Sequence, residues 1–106
     1  MLTPAPASAQ ENSPEVQVLV SGNELLTECS GPRGSGACQW YVGGVADTLA
    51  MTNALGMTRM VCLPPHVTAT QLADIVLNEL RNSPEVWHYS AVGTVTVALN
   101  RAFPCQ

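Results

Sequence analysis

Charge is what this sequence has least of. Only 11% of its 106 residues are Asp, Glu, Lys or Arg, and only four of those carry a positive charge. Nucleic-acid binding rests on cationic contacts to phosphate, so that class is excluded. The same shortage argues against attachment to an anionic membrane surface. No apolar run approaches the ~20 residues of a spanning helix, so membrane insertion is not expected. There is no C-x-x-C pair, and His66 and His88 do not stand at ligand spacing, which argues against a metal centre. Gly31, Gly34 and Gly36 follow no strand and lead to no phosphate-loop lysine. Each histidine flanks a proline-bearing turn and reads as a loop residue rather than a general base. No catalytic residue and no cofactor is expected, and the chain reads as a non-enzyme.

What is present is apolar mass and sulfur. Hydrophobic residues make up 46%, enough for one core, and the length fits one domain. A surface this poor in charge often covers part of itself with a partner or a second copy. The net charge of −4 is a weak bias toward basic partners. Four cysteines, Cys29, Cys38, Cys62 and Cys105, form an even set in a short chain, which points to two disulfides and an oxidising compartment. Ala7-Ser8-Ala9 before Gln10 has the small-residue pattern of a secretory cleavage site, without the basic and long apolar parts that precede one. Residues 1–15 are therefore expected to be a signal-peptide remnant and disordered leader, and residues 16–106 one helical domain.

Val16, Val18 and Val20 begin that domain as an extended lead-in for which no later segment offers a convincing strand partner. Ser21-Gly22-Asn23-Glu24 is a capping box, with Val20 and Leu25 at staple positions. A short helix follows, with Leu25, Leu26 and Cys29 inward, and ends at Ser30-Gly31-Pro32. Ser35 can cap a second helix reaching about Ala54, with Cys38, Tyr41, Val42, Val45 and Leu49 on one stripe. Gly43-Gly44 is costly there, by about 1 kcal/mol each, and implies close approach of another backbone. Gly56 can end this helix in a left-handed conformation. Leu63-Pro64-Pro65 excludes regular helix. Thr68-Ala69-Thr70-Gln71 is a second capping box, opening a helix with Leu72, Ile75, Val76 and Leu80 inward and ending at Asn82-Ser83-Pro84. Pro84 to His88 reads as a turn. Ser90 can cap a last helix with Val92, Val95, Leu99 and Phe103 inward, although its valines and threonines are partly strand-like. The sum is an all-α, four-helix domain.

Four cysteines allow three pairings. Cys29 and Cys38 flank a Gly/Pro corner between two helices, so one bridge can close it. That leaves Cys62 with Cys105, tying the chain end to the central connection. A zinc site is the alternative, and the spacing disfavours it.

Among polar residues, Asp47 lies in an apolar helical stripe, where it could contact a partner, although such an Asp more often caps or bonds a neighbouring loop amide. Asp74, Glu79 and Glu85 read as a solvated face. Trp87-His88-Tyr89 is an aromatic cluster at a turn, suited to anchor an interface or to fold back over the helix junction. Met51, Met57 and Met60 cluster near the end of the second helix, as a soft dimer surface or as gap-fillers.

Cys38-Gln39-Trp40-Tyr41-Val42-Gly43-Gly44-Val45-Ala46-Asp47, Val61-Cys62-Leu63-Pro64-Pro65, Val67-Thr68, Gln71-Leu72, Pro84-Glu85 and Ala102-Phe103-Pro104-Cys105 together resemble the Rap/Tai immunity proteins of type VI secretion. The likeness covers roughly residues 20–105. It implies a periplasmic, disulfide-braced helical fold, often dimeric. It also implies a protein partner, a papain-like amidase that cuts peptidoglycan stem peptides, blocked at its cleft. Two segments are candidates for the inhibitory contact. One is the Gly56–Met60 connection, with Met57, Arg59 and Met60; the other is the turn carrying Glu85, Trp87, His88 and Tyr89. The other classes to weigh are a structural or accessory subunit of an envelope assembly and a periplasmic holdase.

Overall fold

The computed structural model describes residues 18–32 and 36–106. The leader and Ser35 lie outside the described residues. Four helices follow in order: α1 (Gly22–Ser30), α2 (Ala37–Ala54), α3 (Ala69–Asn82) and α4 (Ala91–Ala102). A single 3-10 turn, Pro84–Val86, separates α3 from α4. No strand occurs among the described residues.

The helix starts are chemically explicit. In α1 the Ser21 hydroxyl accepts from the Glu24 amide, and the Glu24 carboxylate accepts from the Ser21 amide at 2.9 Å. Thr68 and Gln71 do the same for α3. Ser90 caps α4 by accepting from the Gly93 amide at 3.1 Å. Each cap satisfies donors that a helix leaves without internal partners. Position 36 begins α2 differently: Gly36 is its N-cap, at a φ of 74° and without a side-chain cap bond. Gly56 closes the far end of α2 at a φ of 75°, as its position predicts.

The core is one cluster built from all four helices. Leu25, Val42, Val76, Leu80, Val95 and Leu99 are fully buried, joined by Val61 from the α2–α3 connection. Helix α3 packs against α1, α2 and α4 and is the centre of the bundle. Two disulfides staple it: Cys29–Cys38 at the α1–α2 corner and Cys62–Cys105 between the α2–α3 connection and the chain end. Arg101 on α4 pairs with Glu79 on α3 at 2.6 Å. Arg101 is largely exposed, so the pair contributes under about 1 kcal/mol.

Four details depart from the sequence reading. The lead-in does find a partner, though not a strand. Val20 O accepts from the Ala91 amide at 2.8 Å, and Ser21 forms an isolated bridge with Ser90. Val92 does not face inward and is 44% exposed, because the buried stripe of α4 runs through Ala91, Thr94, Val95, Ala98 and Leu99. Val92 stands about 100° around the helix from Ala91. Asp47 is exposed rather than embedded. The glycine pair meets a side chain and not a backbone. A Cβ on Gly43 would lie 3.6 Å from the Ala69 Cβ, whereas one on Gly44 would meet nothing within 4 Å.

Candidate protein-binding surface

The α2–α3 connection is held from beneath. Val61 plugs the core at 1% exposure. Around it, Asn53 Nδ2 donates to Val61 O at 2.6 Å, and Asn100 Nδ2 donates to Met60 O at 2.5 Å. The Cys62 amide donates to Phe103 O at 2.9 Å, alongside the covalent bridge to Cys105. The Met57 amide donates to Thr52 O, and Thr58 Oγ1 donates to Thr52 Oγ1. Apart from a contact of Arg59 Nη2 with Cys62 Sγ at 3.8 Å, every tie is made by backbone, Thr, Asn or Cys. The larger side chains, Met57, Arg59 and Met60, are left facing out. A segment fixed this way loses little ordering entropy when it docks.

The turn after α3 is also fixed, but its tryptophan is the anchor. Trp87 is half-buried against the core, and its Nε1 donates to Leu80 O at 2.6 Å. That bond satisfies a carbonyl of the last turn of α3. Trp87 O in turn accepts from the Asn23 amide at 2.6 Å, and Tyr89 O accepts from the Gly22 amide at 2.8 Å. Gly22 is required by this approach, since a Cβ there would sit 2.9 Å from Val86 O. Of the four candidates in this turn, Glu85, His88 and Tyr89 are exposed. The His88 and Tyr89 rings lie 4.4 Å apart and tilted.

The two candidate segments are not brought together. Met60 is tied to Asn100 near the end of α4, whereas His88 and Tyr89 directly precede its start. The twelve residues of α4 separate them by about 18 Å.

A third surface was caught only in part by the sequence reading, through Asp47 and Met51. Helix α2 has one charged residue, Asp47, in 18 positions. Trp40, Gly44, Asp47, Met51 and Leu55 recur on one face, because these spacings return to the same side of a helix. Trp40 is 83% exposed and Leu55 is 65% exposed. Grooves flank Trp40 on both sides. One runs between α2 and the Leu63–Leu72 region. The other, lined by Tyr41, Val45, Leu49 and Val92, runs between α2 and α4. Burial pushes the Tyr41 hydroxyl above its ordinary value in that groove. The signal available in the sequence was the near absence of charge along α2, together with a glycine on the outward side of a tryptophan.

All four cysteines are bridged, so zinc has no thiolate ligands here and no thiolate nucleophile is present. Among the described residues no group of three or more His, Cys, Asp or Glu converges as a metal site would. No helix among them is long and apolar enough to cross a membrane. No curated protein and no solved structure matches the chain. The family model for Rap1a immunity proteins does match, over residues 21–105, a span that takes in all four helices and both bridges. With that match covering most of its length, the chain belongs to the Rap1a immunity protein family.

Proposed function

We propose that this protein is a periplasmic, stoichiometric inhibitor that neutralises a peptidoglycan amidase effector of type VI secretion by occluding its active-site cleft. Family membership supports an immunity-type protein that binds an effector. The observation that carries the finer reading is the α2–α3 connection. It is pinned by a buried valine, by hydrogen bonds to Thr52, Asn53, Asn100 and Phe103 and by a disulfide, and it turns Met57, Arg59 and Met60 outward. A pinned segment with an exposed, unbranched apolar side chain at each end and one cation suits a narrow cleft. Methionine adapts its shape to irregular apolar walls, and a guanidinium pairs with carboxylates. Glu85, His88 and Tyr89 form a second, lesser contact at the other end of α4.

In this reading a second copy covers the outward face of α2. Gly44 lets a facing helix approach beside Trp40, and Met51 and Leu55 extend the apolar strip. The two disulfides agree with export to an oxidising compartment through a signal peptide.

The test is inhibition. The purified chain is titrated against amidases encoded beside it, and release of stem peptide from peptidoglycan is followed. Loss of activity saturating at one chain per enzyme is expected, and a Met57→Asp/Met60→Asp variant should inhibit at least tenfold less well. Full amidase activity at excess chain, for every such amidase, rejects the reading. The same apolar α2 face favours a second reading, an accessory subunit of an envelope assembly. Size-exclusion chromatography separates the two: a discrete dimer fits the inhibitor, and aggregation without a partner fits the subunit.

A further inference from the structure

The Cys62–Cys105 bridge is chemically asymmetric. Arg59 Nη2 lies 3.8 Å from Cys62 Sγ, and Asn53 Nδ2 lies 4.0 Å from the same sulfur. One is a full positive charge and the other an N–H donor. No donor among the described residues approaches Cys105 Sγ in this way. Cys105 instead sits three residues past the end of α4, where the helix presents the negative end of its dipole. Both cysteines are half-buried, so neither sulfur is sealed from a small thiol.

From this geometry we infer that the bridge is a site of directed thiol–disulfide exchange. A low-molecular-weight thiol attacks Cys105 and expels Cys62. The incoming thiolate gives its electron pair to a new bond with Cys105 Sγ. The Cys62–Cys105 bond breaks, and its electron pair leaves on Cys62 Sγ as a thiolate. Arg59 and Asn53 stabilise that charge as it forms. Exchange is fastest when the departing sulfur is the better-stabilised thiolate. A second thiol then attacks its own kind in the mixed disulfide. Cys105 is released as a thiolate, the small thiol leaves as its disulfide, and two electrons have passed to the protein. The product has a free Cys62 beside Arg59 and a chain end untied from the α2–α3 connection.

The consequence reaches the outward residues of that connection. Arg59 is held near a neutral sulfur when the bridge is closed and beside a thiolate when it is open. Met57 and Met60 lose the covalent member of the clamp beneath them. The hydrogen bonds from Asn53, Asn100 and Cys62 remain to hold the segment near its place. The bridge is thereby a redox modification site coupled to one surface.

The experiment uses the full oxidised chain. It is exposed briefly to reduced glutathione under native conditions and quenched with acid. Free thiols are alkylated, and the peptides are mapped by mass spectrometry. Glutathione is expected on Cys105 and the alkyl group on Cys62, in at least threefold excess over the reverse. Arg59→Gln should slow the opening of this bridge by about two- to fivefold, the range an exposed charge pair supplies, and should reduce the bias. Arg59→Lys should restore most of both. Circular dichroism checks that each variant keeps its helices. Glutathione found on Cys62, or shared equally, overturns the inference. So does a Cys105 bias unchanged in Arg59→Gln, because access rather than charge would then be directing attack.

Discussion

Replacing Cys62 and Cys105 together by alanine tests how this small chain stays folded. The bridge spans a sequence separation of 43 residues. Closing a loop of that length in the unfolded chain removes about 4 kcal/mol of conformational freedom on the chain-entropy relation. Both cysteines are only half-buried, so alanine removes little packing beyond the bond itself. The hydrogen bonds from Cys62 N to Phe103 O and from Asn100 to Met60 O do not involve sulfur and should persist. The expected loss is therefore about 3–4 kcal/mol, a large fraction of the ~5–15 kcal/mol that holds a typical domain. Urea unfolding followed by the fluorescence of half-buried Trp87 measures it. The melting temperature should fall by roughly 15–30 °C, at about 4–8 °C per kcal/mol for a chain of this size. The native helices should remain at low temperature. A loss below about 1 kcal/mol would refute the reasoning, since the bridge would then be dispensable to a chain already organised without it. Amide exchange adds a spatial check: protection should fall first between residues 57 and 62 and after Phe103, and not in α3.

Three further outcomes follow from particular atoms. Gly22→Ala should destabilise by about 1–3 kcal/mol, because the new Cβ would press on Val86 O at 2.9 Å and on backbone of Trp87; thermal unfolding reads it. His66 is the one non-glycine residue among those described with a positive φ, 68°. His66→Gly should raise stability by about 0.5 kcal/mol, the relief of left-handed backbone less the added freedom of the unfolded chain, seen as a shift in the urea midpoint. Burial raises the Tyr41 hydroxyl above its ordinary value of 10.0, so the stability it contributes is complete below pH 10 and is lost as pH rises through the higher folded value. Stability measured from pH 8 to pH 12 should fall, and Tyr41→Phe should flatten that fall.

The parts of this fold that were legible in the sequence are the local ones. Ser21 and Glu24, Thr68 and Gln71, and Ser90 cap their helices within three residues, and Gly56 ends α2. Both cysteine pairings follow from where the helices stop. What the sequence hides is which way a side chain turns once helices meet. Val92 was placed inward by its hydrophobicity, but Ala91, Thr94 and Val95 occupy the stripe. Trp87 suited either an interface anchor or a fold-back over the helix junction, and its bond to the carbonyl of Leu80, seven residues back, shows the fold-back. The outward face of α2 was masked because its apolar residues resemble core. Trp40, Met51 and Leu55, with Gly44 and Asp47 between them, share a side that no other part of the described chain covers, and periodicity alone cannot distinguish that from burial.

The two bridges join cysteines that are neighbours in sequence order, first with second and third with fourth. A chain threaded amino end first into an oxidising space therefore meets its correct partners one after another. Cys29 finds Cys38 before the other two sulfurs have arrived, and the remaining pair has no rival left. On that route neither bond has to be exchanged to reach the native connectivity.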